Sequence, residues 1–185
     1  MKPLPLARTC VWIMLTAGAA LQAQPAWQWR EVGALPAATV AHTATTLNNG
    51  KVLVTGGYGR LFGQLPVAAA IGRLYDPKTE QWKLSQGRLT YGRLGHAAIR
   101  MDDGRVLIAG GTSQDKKPMR SVELYDPATD SFAHVGDMAE ARDWPRLTRL
   151  CDGRILITGG SRTAELTEMN ADGRVSIRAI TAKMQ

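Results

Sequence analysis

Asp103-Gly104-Arg105-Val106-Leu107-Ile108-Ala109-Gly110-Gly111 decides how this chain reads, because the same pattern occurs on either side of it. Upstream stands Asn49-Gly50-Lys51-Val52-Leu53-Val54-Thr55-Gly56-Gly57, and downstream Asp152-Gly153-Arg154-Ile155-Leu156-Ile157-Thr158-Gly159-Gly160. The first glycines of the pairs lie 54 residues apart (56 to 110) and then 49 apart (110 to 159). A period of that size marks a repeat architecture, in which each copy is one supersecondary unit that buries its apolar surface against its neighbours.

Within a unit, a first strand is expected at His42–Leu47, His96–Met101 and Pro145–Leu150. The Asn-Gly or Asp-Gly step after it predicts a tight two-residue hairpin turn with both central residues at positive φ. The apolar segment that follows is short, β-branched and flanked by turn residues, so it reads as a strand covered on both faces. Gly-Gly then permits a sharp turn or a close approach of backbone. A third strand ends in a second shared signature, Leu74-Tyr75-Asp76-Pro77-Lys78-Thr79-Glu80-Gln81-Trp82 and Leu124-Tyr125-Asp126-Pro127-Ala128-Thr129-Asp130-Ser131-Phe132. Its Asp-Pro step forms a turn, and the aromatic opens a fourth strand. In the third copy the signature has decayed to Ala164–Asn170, with a turn at Asp172-Gly173 and a strand at Val175–Ile177. Each unit still counts four strands.

These spaced segments, "DGRVL-x-GG" followed by "YDP-x-T", closely resemble the kelch repeat in its bacterial, galactose-oxidase-like form, over about residues 27 to 185. The resemblance implies an all-β fold of kelch-type β-propeller blades, each four-stranded and antiparallel, with the first strand nearest the central axis. Blades are expected at about 40–87, 92–138 and 142–180, preceded by a lone strand at 27–33. Closed propellers use typically four to eight blades, whereas this chain holds about three. Three readings follow: a truncated relative of a longer propeller, an incomplete ring left as an open fan, or half of a six-bladed assembly completed by a homodimer. An open fan would expose sheet edges and blade faces that invite association.

The N-terminus carries Lys2 and Arg8, then an apolar run of twelve residues from Cys10 to Leu21, closing on small residues around Ala23. That order of charged, apolar and small-residue regions predicts a signal peptide over 1–23 and an exported, periplasmic or extracellular chain of 24–185. The run is shorter than the roughly twenty residues a membrane span requires. Loss of Lys2 and Arg8 takes the 23 basic residues to 21 against 16 acidic, a net charge of +5 in place of +7. This mild excess suits acidic glycans or an anionic surface. The absence of any long Lys/Arg run, together with export, argues against nucleic acid as partner. The mature chain would keep only Cys151, which reads as a tolerated turn residue with no histidine nearby to activate it.

Loops joining fourth strands to the next first strands, and second to third strands, emerge on one face of such a fold. They span 58–71, 91–95, 112–120, 142–144 and 161–163, and carry Phe62, Gln64, Asp115 and Lys116 beside eight ligand-binding candidates. Those candidates are Tyr58, Arg60, Tyr91, Arg93, Arg142, Asp143, Trp144 and Arg162. Aromatic planes beside arginines suit carbohydrate or carboxylate recognition. Arg93 and Arg142 occupy equivalent repeat positions, so a second reading makes them structural, bonding backbone carbonyls between blades. His42 and His96 are likewise equivalent, and His134 lies on a different strand; scattered this way, they give no metal-ligand spacing. No cofactor is implied: the copper site of galactose oxidase has no counterpart, since Tyr75 and Tyr125 belong to the repeat signature. Gly57-Tyr58-Gly59 lacks the following helix of a dinucleotide loop, and the acidic stretch from Glu168 lacks the closing acid of a calcium loop. The functional expectation is an exported module that binds a protein or glycan through its loop face. The alternative is a periplasmic carbohydrate-modifying enzyme, resembling the kelch-type sialic acid mutarotases.

Overall fold

The computed structural model describes residues 29–35, 38–59, 67–170 and 174–180. The expected signal peptide, Arg60, Phe62, Gln64 and the Asp172-Gly173 turn lie outside the described residues. The chain divides into two units, Met1–Glu31 and Val32–Gln185. Of the first only residues 29–31 are described, and they form no strand.

In the second unit every regular element among the described residues is a strand. A two-residue strand β1 (Thr39–Val40) precedes the first blade, which consists of β2 (Thr43–Thr46), β3 (Val52–Thr55), β6 (Ile71–Asp76) and β7 (Gln81–Arg88). Between β3 and β6 lies the short hairpin β4 (Tyr58–Gly59) and β5 (Val67–Ala68), which pairs with β1. Blade 2 is β8 (Ala97–Arg100), β9 (Val106–Ala109), β10 (Met119–Asp126) and β11 (Ser131–Arg142); blade 3 is β12 (Arg146–Arg149), β13 (Ile155–Thr158), β14 (Ala164–Met169) and β15 (Val175–Ile180). Each blade is a four-stranded antiparallel meander in chain order. These are the propeller blades that the repeat resemblance implies.

The lone leading strand expected at 27–33 is not found where the chain is described: residues 29–33 pair with no strand. Instead the Trp82 indole N–H donates to the Gly33 carbonyl at 3.0 Å. Gly33 passes so close to the β6–β7 turn that an added Cβ would stand 2.6 Å from the Glu80 carbonyl oxygen. A side-chain bond thus holds this stretch where a ladder was expected.

The three hairpins between first and second strands are superimposable in their bonding, and they correct the expected turn type. Leu47, Met101 and Leu150 each donate their N–H at 2.8 Å to the carbonyl of Lys51, Arg105 and Arg154. Gly50, Gly104 and Gly153 donate back to the same three residues at 3.0–3.1 Å. Only the glycines are left-handed, with φ of 82°, 90° and 86°. This is a type I turn followed by one left-handed residue. The preceding Asn49, Asp103 and Asp152 avoid positive φ because their side-chain oxygens accept the N–H two residues on, at 3.0–3.1 Å. In the Asp-Pro turns Asp76 and Asp126 do the same for Lys78 and Ala128.

Second strands divide the core between them. Leu53 and Leu74 of blade 1 pack with Val106, Ile108 and Tyr125 of blade 2. Leu107, Val122, Leu124 and Met138 of blade 2 pack with Ile155 and Ile157 of blade 3. All four residues of β9 are fully buried because alternate side chains serve different interfaces. At about 1.5–3 kcal/mol for each large apolar side chain buried, these two interfaces hold the blades together.

Candidate functional site

The connectors that enter each new blade run beside the Gly-Gly turns of the blade before. Gly57 donates its N–H to the Arg93 carbonyl at 2.8 Å, and Gly111 to the Arg142 carbonyl at 2.9 Å. At Gly57 φ is 91° and an added Cβ would meet the Val40 carbonyl at 2.9 Å, so both conformation and space demand glycine. Loops of two kinds are therefore gathered at one end of the blades, the loop face the repeat logic anticipates.

Arg93 and Arg142, named above as ligand candidates, are wholly buried. Arg93 donates from Nη1 to the Gly110 and Ser121 carbonyls at 3.1 and 3.2 Å, and from Nη2 to Ser121 Oγ at 2.9 Å and to Glu123. Glu123 accepts the Thr90 N–H with its other oxygen at 2.8 Å. Arg142 repeats this arrangement on the Gly159 carbonyl at 2.9 Å, Thr163 Oγ1 at 2.9 Å and Glu165 Oε1 at 3.1 Å. Glu165 in turn accepts the Ala139 N–H at 2.7 Å. Burial draws the Arg93 pKa down while Glu123 draws it up. Neither guanidinium has an exposed atom to offer a ligand; each is a clamp whose backbone bonds one blade and whose side chain bonds the next.

His96 is also interior. Its Nε2 lies 2.9 Å from Thr43 Oγ1 and 3.0 Å from Thr55 Oγ1, tying blade 2 to blade 1. Burial, reinforced by the charge of Arg93, lowers its pKa to about 3, so the ring is neutral at ordinary pH.

What remains at the surface is aromatic. Tyr58, Tyr91 and Trp144 are 39%, 53% and 55% exposed. Trp144 stands at φ 51°, a left-handed conformation that a bulky residue avoids. Ala41 and Gly95, at the same point before the first strands of blades 1 and 2, share it with φ of 55° and 60°. The Trp144 ring lies over Gly95, where an added Cβ would come within 2.8 Å of its Cε2. Beside it Asp143 Oδ1 accepts a 2.5 Å hydrogen bond from Thr112 Oγ1, and Arg162 is exposed.

Tyr91 lines a groove of about 380 Å³ with Met119, Arg120, His134 and Asp137. Arg120 is oriented by donating Nε–H to the Met138 carbonyl at 2.8 Å, and His134 Nε2 sits 3.1 Å from Asp137 Oδ1. The sequence reading did not assemble these residues, because a register shift in the β10–β11 pairing between Val122 and Glu123 changes which side chains line the groove. Gly136 beside that shift is the one sequence signal that hints at it. A second groove of about 330 Å³, at the opposite end of blades 2 and 3, contains Asp152, Arg154 and Glu168. Its charges face one another at 2.7 and 3.7 Å, which leaves little for a ligand.

The family model for the Kelch motif matches residues 93–139. Galactose oxidase of Gibberella zeae is 28% identical over 134 residues, which is 71% of this chain and 19% of that protein. Human kelch repeat and BTB domain-containing protein 13 is 31% identical over 133 residues, covering 70% of this chain and 27% of that protein. Among solved structures, that of YjhT superposes with a TM-score of 0.70 at 15% identity, covering 85% of this chain and 56% of its own. The chain thus spans between about a fifth and about a quarter of the length of these curated relatives.

Proposed function

We propose that this chain, whose kelch repeats fold as propeller blades, is an interaction module that receives a protein or glycan on its loop face. Kelch repeats commonly mediate protein interaction. The observation that carries the reading is the contrast at that face: exposed Tyr91 and Trp144 stand directly above a fully buried framework. Trp144 in addition holds a strained conformation, of the kind that persists where surrounding structure enforces it. Aromatic surfaces on a rigid support lose little conformational entropy on binding. Arg120 and Arg162 add positive charge suited to an acidic sugar or peptide. Binding is favoured over catalysis because Arg93 and Arg142, the arginines first considered for acidic-sugar chemistry, are engaged inside the blades.

The test is interferometry of the chain against acidic and neutral oligosaccharides and a peptide library, repeated with Tyr91→Ala and Trp144→Gly. A ligand whose affinity drops at least tenfold in either variant, with thermal stability unchanged, supports the reading. Binding that survives both substitutions overturns it. We further propose export, supported by the charged, apolar and small-residue order of residues 1–23. A mature N-terminus near Gln24, read by mass spectrometry of the periplasmic or secreted fraction, is the expected result. A homodimer completing a six-bladed ring is the third part of the proposal, read as a discrete doubled molar mass in light scattering.

A further inference from the structure

The cleft between blades 2 and 3 differs from the cleft between blades 1 and 2 by one hydrogen-bond acceptor. Strand register sets the comparison. Tyr125 faces Val106 in blade 2 and Thr167 faces Ile155 in blade 3, so Met169, two residues on, stands where blade 2 has Pro127. The preceding blade contributes the basic residue that follows its turn glycine, Lys51 in one cleft and Arg105 in the other. Lys51 and Pro127 line one small groove, but a proline ring offers no acceptor, and Lys51 Nζ bonds Asp76 of its own blade at 3.0 Å. Arg105 instead donates from Nη2 to the Met169 sulfur at 2.9 Å, a side-chain bond from blade 2 to blade 3.

Met169 is also the methionine that solvent reaches. Among the described residues Met138 and Met101 are 0% and 6% exposed and Met119 is half-buried, whereas Met169 is 41% exposed and lines the groove of about 330 Å³ with Asp102 and Arg154. A thioether sulfur carries two lone pairs and is a weak acceptor, so the Arg105 bond leaves one pair for reaction. Oxidation to the sulfoxide replaces the weak acceptor with a strongly polar oxygen. In an apolar core that change disrupts packing. At Met169 a guanidinium already points at the atom that gains the oxygen.

We propose that Met169 is a site of oxidation by peroxides, and that its sulfoxide fastens blade 3 to blade 2 through Arg105. A sulfur lone pair attacks one oxygen of hydrogen peroxide: the S–O bond forms as the O–O bond breaks. The proton on the transferred oxygen passes to the departing hydroxide, which leaves as water. Sulfur gives up two electrons and the peroxide takes them, so no further co-reactant is needed. The Arg105 Nη2–H then donates to the sulfoxide oxygen, a charge-assisted bond in place of a weak one. This inference goes beyond the loop-face reading and shares no residue with it.

The experiment treats the full chain with dilute hydrogen peroxide, maps oxygen uptake peptide by peptide by mass spectrometry, and records thermal unfolding at each stage. It is run on the wild type, Arg105→Leu, Met169→Leu and Met169→Gln, the last placing a carboxamide oxygen where the sulfoxide oxygen would stand. The Met169 peptide is expected to gain one oxygen about ten times faster than the Met138 peptide, as exposure dictates. The wild-type Tm should rise by about 2 °C as it does so, and methionine sulfoxide reductase with a dithiol should return it. Cys151 and the other methionines respond alike in Met169→Leu, so the difference between that variant and the wild type isolates Met169. Arg105→Leu should lose the increment, and Met169→Gln should melt above the wild type without peroxide. Equal uptake at Met169 and Met138, a Tm that falls as Met169 is oxidised, or an increment retained in Arg105→Leu overturns the proposal. So does a Met169→Gln chain that melts no higher than the wild type.

Discussion

Blades 1 and 2 share strand order, turn chemistry and register, yet differ at the two positions that make the clamp, where blade 1 has Arg73 for Glu123 and Thr39 for Arg93, and the difference separates what the repeat needs from what it tolerates. In blade 2 the Arg93 guanidinium meets Glu123 and the Gly110 and Ser121 carbonyls, and Glu123 also accepts the Thr90 N–H. In blade 1 Arg73 occupies the register position of Glu123, and its guanidinium has no hydrogen-bond partner among the described residues. The fold therefore does not require the ion pair in every blade. It requires it where one blade must be fastened to the next, and the two clamps found are at those two junctions.

The sharpest way to break this comparison is to remove one half of a clamp. Glu165→Ala leaves Arg142 buried and unpaired, and should cost about 3–5 kcal/mol of unfolding free energy in urea titrations. Arg73→Met removes a charge that is already unpaired, and should leave stability equal or higher. A Glu165→Ala chain as stable as the wild type would show that the clamps do not fasten the junctions.

The apolar core allows a second contrast. Leu107 sits on a strand covered by both neighbours, and Leu107→Ala should cost about 2–5 kcal/mol. Leu156, its counterpart in blade 3, faces the side of blade 3 away from blade 2, where no blade stands among the described residues, and is only half-buried. Leu156→Ala should cost less than half as much in the same titration.

His96 sharpens the junction of blades 1 and 2 through pH. Its folded pKa of about 3 lies below the 6.5 of an ordinary histidine, so the unfolded chain binds a proton that the folded chain refuses. The stability this residue confers is complete above pH 6.5. It is lost as pH falls from there toward 3, at up to about 1.4 kcal/mol per pH unit. A His96→Gln variant should flatten that part of the curve, as read from denaturant midpoints between pH 7 and 4. The smallest effect is expected at the turns: Gly104→Ala places an L side chain at φ 90° and should cost about 1–2 kcal/mol.

Much of this molecule was legible in its sequence because the features that define it are local. The Asp-Gly steps, the Gly-Gly pairs and the apolar segments between them fix three blades with no knowledge of long-range contacts. The turn type was misread because a short-range competitor decides it: the Asp103 carboxylate takes the Arg105 N–H and holds its own residue out of the left-handed region. The leading strand was misread because the Trp82 indole, 49 residues on, takes up the Gly33 carbonyl. Of the site, Arg93 and Arg142 were correctly seen as repeat-equivalent. Their acids were not seen, since Glu123 and Glu165 lie 30 and 23 residues away at unequal spacing. Only strand register aligns those two acids with Arg73.

A connector that gives its backbone to one blade and its side chain to the next also determines where the polypeptide can be cut. Nicking the chain beside Arg93 would part both attachments at once. A cleavage at the exposed Asp115–Lys117 tip would leave every clamp and ladder closed, so the two fragments should remain associated and co-elute. Splits, permutations and inserted reporter domains belong at that tip.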